Sequence, residues 1–227
     1  SADIDGFHRG SEMWCSGEKK VFAVDGSLIA ETRDWTPQNF RIYWDGDLLD
    51  ELIGNGRIGQ RPGSWGNDAF QGPRGQRGQR NGMDRDRQRG QRPPQMGQDS
   101  LRSRRMQDWG QMPRRQQNYY VAKWMGDGTQ SIFSFSNYGN SASCNGTKAT
   151  PCLQADLFGD WREEIILYDA SDNSHLNIFT TNIPTEYRVV TLMHDHIYRM
   201  GICWQNVAYN QPPHLGYYLP SINSTGQ

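Results

Sequence analysis

Three segments of the chain repeat one arrangement of residues. ADIDGFHRGSEMW (residues 2–14), WDGDLLDELI (44–53) and ADLFGDWREEIILY (155–168) each carry spaced aspartates, a glycine turn, and a glutamate that leads into an apolar run. Each reads as a turn followed by a strand. The first two begin about forty residues apart, and the third about sixty further on once an arginine-rich stretch is set aside. Periods of that size belong to four-stranded propeller blades. On that count the chain holds about three to four blades, fewer than most closed rings contain.

The rest of the sequence agrees with an all-β fold. Period-two patterning predicts strands at KKVFAVD, NFRIYWD, DELI, NYYVAKWM, SIFSFSN, EEIILYD, LNIFTT, VVTLM and GYYLP, separated by Gly, Asp, Asn and Pro turns. Helix is expected only around TLMHDHIYRMGICWQNVAYN. With 8 Trp, 10 Tyr and 8 Phe, the core is built from aromatic and β-branched side chains. No apolar run is long enough to span a membrane, and the opening residues SADIDGFHRG lack the charged-then-apolar pattern of a signal peptide. A lost export signal would leave the same beginning, so the compartment stays open.

A net charge of −1 conceals two opposite parts. Between Arg74 and Arg115 there are twelve arginines and four acids, which leaves 12 basic against 21 acidic residues elsewhere. The organisation expected is therefore blades with acidic loops at 1–65, an Arg/Gln/Gly-rich insertion at 66–117, and further blades at 118–227. The insertion has almost nothing to bury and is expected to be solvated or disordered. It is either a tolerated surface insertion or a contact for an anionic polymer.

The spaced acids bear the most specific chemistry. Calcium takes six to eight oxygens. Asp156, the Phe158 carbonyl, Asp160, the Arg162 carbonyl and Glu164 can curl round such an ion, and so can Asp3, Asp5 and Glu12, or Asp45, Asp47 and Glu51. The alternative is that these aspartates only begin solvent-exposed turns, where Asp bonds its own backbone. The third copy follows a polar turn, NGTK, in which Asn145 and Gly146 suit positive φ and Thr147 and Lys148 project. A lysine there is a solvated surface group, an anion binder or, with a lowered pKa, a base. Cys144 and Cys152 flank this turn. They are either thiols or, in an exported protein, a disulfide. No CxxC pair points to a zinc ribbon.

IPTEYRVVTLMHDHIYRM and WQNVAYNQPPHLGYYLP add flat aromatics and side-chain amides of the kind that line carbohydrate sites. NGTKATP running into ADLFGDWREE, then IPTEYR, LMHD, WQNVAYNQPPH and a closing YLP, resemble the C-terminal part of the rhamnogalacturonan lyases of polysaccharide lyase family eleven. ADIDGFHRGSEMW and NFRIYWDGDL resemble preceding blades of that family, and only the arginine-rich insertion falls outside the likeness. The resemblance implies an eight-bladed β-propeller, calcium in the blades, a secreted bacterial monomer without a membrane or specific nucleic-acid partner, and β-elimination on the rhamnose–galacturonate backbone of the pectic polysaccharide rhamnogalacturonan I.

By the same resemblance, Asn145, Gly146, Thr147 and Lys148 match a substrate-binding loop. Lys148 is then a carboxylate binder or base, and Tyr209 a substrate contact able to act as base or acid. Asp156, Phe158, Asp160, Arg162 and Glu164 match a calcium loop. Calcium at the start of the strand would hold the NGTK turn in place. A non-catalytic, calcium-dependent pectin-binding module is the alternative from another class. A nucleic-acid binder is weaker, because no recognition motif accompanies the arginines. His194, His196 and His214 offer a transition-metal or general-base site, or they pack and orient neighbours.

Overall fold

The computed structural model describes residues 1–38, 40–55, 119–144, 150–172, 174–205, 207 and 211–221. It is mostly β-sheet. A hairpin joins β1 (Lys20–Phe22) to β2 (Leu28–Glu31). β3 (Phe40–Ile42), β4 (Glu51–Asn55), β5 (Tyr119–Trp124) and β6 (Thr129–Ser134) form an antiparallel sheet in chain order. β4 and β5 are direct neighbours, so residues 56–118 connect two adjacent antiparallel strands. The expected insertion at 66–117 lies outside the described residues.

The second four-stranded sheet centres on β9 (Glu164–Asp169), with β10 (Leu176–Phe179) along one edge. The other edge is shared by β7 (Ser141–Ala142) and β8 (Leu153–Ala155). Ala142 pairs with Tyr168 and Leu153 with Ile166, so β7 and β8 are one interrupted strand from which the chain leaves and returns. Among the described residues, these sheets do not close into a ring or barrel.

Alternation along the strands builds the core. Phe40, Ile42 and Trp44 turn to one side, where Ile53, Tyr119, Val121, Phe135, Ile165 and Leu167 complete an apolar cluster spanning both four-stranded sheets. Arg41 and Tyr43 turn to the other side. Here Tyr43 packs with Leu48, Trp161, Leu192, Tyr198 and Leu219. Gly54 admits the ring of Tyr120, since a Cβ at this position would sit 2.4 Å from the ring.

Helix forms where expected, as α1 (His196–Trp204), with the Asp195 carboxylate accepting from the Ile197 N–H at its start. Two expected strands are absent. VVTLM enters a 3-10 turn at Leu192–His194, because the Asp156 carboxylate takes the Thr191 hydroxyl and the Leu192 N–H away from any ladder. GYYLP also ends in a 3-10 turn, Leu219–Ser221, where Pro220 has no N–H to give a sheet. β2 and the short β7 and β8 escape the sequence pattern.

Candidate functional site

One buried polar network underlies the site. Arg41, in the middle of β3, is 3% exposed. Its guanidinium donates to Glu163 Oε2 at 3.1 Å and to Asp50 Oδ1 at 3.4 Å, and it also donates to the Pro213 carbonyl. Glu163 further accepts from the Tyr43 N–H at 3.0 Å, from Gln154 Nε2 at 3.1 Å and from the Tyr198 hydroxyl at 2.8 Å. Burial pushes the Glu163 carboxyl up against the opposing pull of Arg41, and Glu163 and Asp50 hold Arg41 firmly charged in spite of its own burial. With both charges so fully partnered, the desolvation cost is largely offset, but each partner depends on the other.

A reciprocal amide pair extends the network. The Gln154 N–H donates to Gln205 Oε1 at 2.9 Å, and Gln205 Nε2 returns a bond to the Gln154 carbonyl. In sequence, Gln154 closely follows NGTK, while Gln205 precedes AYNQ and Pro213 follows it. The flanks of both candidate substrate stretches are thus tied to one buried cluster. Asn145, Gly146, Thr147, Lys148 and Tyr209 themselves lie outside the described residues.

The three repeated segments share a physical device. In each, one oxygen of the glutamate accepts from two successive backbone N–H groups of the turn. Glu12 takes Ile4 and Asp5 at 2.7 and 3.1 Å, Glu51 takes Trp44 and Asp45 at 3.0 and 3.2 Å, and Glu164 takes Leu157 and Phe158 at 2.8 and 3.2 Å. A charged acceptor shared by two amides fixes the turn to its own strand. This clamp also corrects the alignment of the repeats. Asp156 is equivalent to Asp3 and Tyr43 rather than to Asp45, whereas Asp160 matches Asp47.

The copies then differ in what faces their remaining oxygens. In the first, Asp3 Oδ1 and Glu12 Oε1 are buried without a hydrogen-bond partner, while Asp5 holds His8 at 2.8 Å. Burial, with Asp50 and Glu12 nearby, pushes the Asp3 carboxyl up to about 7. In the second copy, carboxylate oxygens of Asp45, Asp47 and Glu51 lie within 4.8 Å of one another, the only metal-sized group of acids, cysteines or histidines among the described residues. The Lys123 ammonium stands among them, donating to Asp45, to Asp47 at 2.6 Å and to Glu51 at 3.3 Å. Burial and then Asp45 raise the Glu51 carboxyl, while Lys123, opposed by its own desolvation, is raised by all three acids.

In the third copy, the oxygens are already taken. Asp156 holds Gly159, Thr191 and Leu192, Asp160 holds Arg162 Nη2 at 2.6 Å, and Glu164 Oε1 accepts from Thr180 at 3.0 Å. Phe158 is exposed and Trp161, at φ 69°, is buried against Tyr43. Among the described residues no histidine joins a metal-sized group, and His194, His196 and His214 stay exposed.

Residues that the motif reading passed over include Lys123, Arg41, Glu163, Gln154 and Gln205. A signal for the first two exists in the sequence. VAKWM and FRIYW each place one cation inside an aromatic, β-branched strand, where a charge needs a buried partner.

An antiparallel β scaffold with glutamate-clamped acidic turns is the class these elements define. Within it, a family model for the rhamnogalacturonan lyase family 11 C-terminal domain matches residues 1–225, and the chain belongs to that family. It is 35% identical over 219 residues to the rhamnogalacturonan endolyase YesW of Bacillus subtilis, covering 96% of this chain and 24% of that protein. It is 60% identical over 77 residues to the rhamnogalacturonan exolyase YesX of the same organism, covering 34% of this chain and 12% of that one. The crystal structure of the exotype lyase YesX matches with a TM-score of 0.63 at 31% identity, over 96% of this chain and 28% of the other. The Bacillus licheniformis family lyase matches with 0.61 at 32% identity, over 96% and 26%. The chain thus spans about a quarter of the length of the endolyase and of these solved structures.

Proposed function

We propose that this chain is the C-terminal part of a secreted, monomeric rhamnogalacturonan lyase that cleaves the rhamnose–galacturonate α-1,4 backbone bond of rhamnogalacturonan I, and so degrades pectin. The family match over residues 1–225 carries the reading. In a β-elimination, a base takes the proton on C5 of galacturonate, the C4–O bond breaks as a C4=C5 double bond forms, and the departing oxygen receives a proton. Lys148 and Tyr209 are the proposed catalytic groups, the first against the C6 carboxylate or as base, the second as base or acid. Asn145, Gly146 and Thr147 would complete the sugar-binding loop. Gln154, Gln205 and Arg41 would hold the flanks of both stretches at fixed separation.

Calcium, when bound, would supply positive charge to the carboxylate and stiffen the turns. The first loop would offer Asp3 Oδ1 and Glu12 Oε1, buried oxygens without hydrogen-bond partners, although its three acids do not converge to metal size. Asp45, Asp47 and Glu51 form a donor set of the right size but hold it around Lys123. For Asp156, Phe158, Asp160, Arg162 and Glu164 to serve, Asp160 would first release Arg162.

The test is to mix the chain with rhamnogalacturonan I and calcium and follow the ultraviolet absorbance of the unsaturated uronate. A rise that a chelator abolishes and Lys148→Ala loses supports the lyase. Binding without a rise would assign the chain to calcium-dependent recognition of acidic polysaccharide, with catalysis absent from it.

A further inference from the structure

The edge of β9 brings two sulfurs together. The strand that pairs with this edge leaves it after Ala142 and resumes at Leu153, and Cys144 and Cys152 stand at the neck of the excursion. The neck is held by the backbone. Cys144 N–H donates to the Thr150 carbonyl at 2.9 Å, and Cys152 N–H donates to the Ile166 carbonyl of β9 at 2.8 Å. Their Sγ atoms are 3.1 Å apart. A disulfide bond is about 2.0 Å long, so the sulfurs need to close by only about 1 Å, a movement within the reach of two χ1 rotations.

We infer that Cys144 and Cys152 form a redox-active pair whose disulfide ties together the two ends of the interrupted edge strand. The inference rests on the ladder and the sulfur separation and does not depend on the lyase reading. The chemistry assigns the order of attack. Cys144 is exposed and meets an external disulfide first, whereas burial and the Cys144 sulfur raise the Cys152 thiol and make it the resolving group. With glutathione disulfide as oxidant, the Cys144 thiolate attacks one glutathione sulfur and expels the other as a thiolate. Cys152 then loses its proton, attacks the Cys144 sulfur and expels the second glutathione. Two protein thiols are oxidised by two electrons and one glutathione disulfide becomes two glutathiones.

Exposed Cys15 and Cys203 provide the internal comparison. The chain is equilibrated in glutathione buffers of graded oxidised-to-reduced ratio, quenched with a maleimide, cut with trypsin and read by mass spectrometry. Trypsin cuts after Lys148, between the two cysteines in sequence, so the disulfide holds peptides 124–148 and 149–162 together until a reductant is added. Because the pair is preorganised, the joined peptide should dominate at ratios at least about a hundredfold more reducing than those that modify Cys15 or Cys203. Cys144→Ser should abolish it while leaving circular dichroism unchanged. Maleimide on both Cys144 and Cys152 at ratios that modify Cys15, glutathione adducts in place of the link, or a link to Cys15 or Cys203 would each overturn the inference.

Discussion

Lys123 is the sharpest place to perturb the molecule. Its ammonium is the internal cation of the second acidic turn, and Lys123→Met keeps the stem while removing the charge. Glu51, 1% exposed, and Asp45, 15% exposed, would then face each other without a counter-charge. Removing one partner of a fully buried pair costs about 3–5 kcal/mol, and an exposed pair contributes roughly 1 kcal/mol or less. Lys123 itself is 27% exposed and Asp47 40%, so screening places the cost between these limits, at about 2 kcal/mol. For a chain of this size that lowers the melting temperature by roughly 4–8 °C. The assay is a thermal melt of both proteins in chelator and in calcium. In chelator the variant should melt lower by that amount. Calcium at about a hundredfold over its dissociation constant adds about 2.7 kcal/mol to the state that binds it, so the variant should recover and gain one bound ion that the parent lacks. Equal melting in chelator would refute the role of Lys123 as counter-charge. A drop that calcium leaves uncorrected would refute the cluster as a cation site.

Other consequences are open to direct measurement. Asp3 has a folded value of about 7 above an ordinary 3.8, so its ionisation opposes folding. That penalty is absent below the ordinary value and complete above the raised one, so stability in chelator should fall as pH rises from about 4 to about 7, and Asp3→Asn should flatten the denaturation midpoints over that window. Arg41→Met leaves Glu163 and Asp50 buried without their cation and should cost about 3–5 kcal/mol by chemical denaturation. Adding Glu163→Gln should recover part of the loss, and a larger loss in the double variant would refute the pairing. At Gly46 an added Cβ would lie 2.5 Å from the Pro184 carbonyl, next to the bond from Thr185 Oγ1 to the Gly46 carbonyl. Gly46→Ala should therefore destabilise by about 1–3 kcal/mol, and an unchanged melting temperature would show that the two segments separate freely.

What the sequence discloses follows from how local each cause is. Strands such as YYVAKW and EIILYD are legible because alternation and β-branching act within a few residues. VVTLM fails because its Leu192 N–H and Thr191 hydroxyl go to Asp156, far earlier in the chain, a partner that no local pattern reveals. The acidic turns are legible as repeats because Asp, Gly and Glu recur at similar spacing. Which residues are equivalent is not, since that depends on which two amides each glutamate clamps. The residues that bind Lys123 were readable as acids, yet their cation comes from a strand on the far side of the arginine-rich stretch. Arg41 likewise lies more than a hundred residues from Glu163 and from Gln154, and meets them only once the sheets have formed.

That separation bears on why the site is built as it is. On the proposed function, the stretches carrying Asn145, Lys148 and Tyr209 meet the sugar, and segments that must stay open to a ligand gain little from burial to hold them. Here the cost of order falls on their flanks. The Gln205 side chain satisfies both the N–H and the carbonyl of Gln154, each residue at 2% exposure or less, and Arg41 fixes the Pro213 carbonyl from inside the core. Arginine suits this task because one planar group serves two carboxylates and a carbonyl at once, which a lysine ammonium at the end of a flexible stem would not do with the same geometry. Arg41→Lys should accordingly preserve charge yet loosen the Pro213 anchor. If Arg41 acts as a positioning residue, the variant loses affinity for rhamnogalacturonan I out of proportion to its loss of stability. If the two fall together, Arg41 is only a structural cation, and the anchoring of the loops must come from the glutamine pair alone.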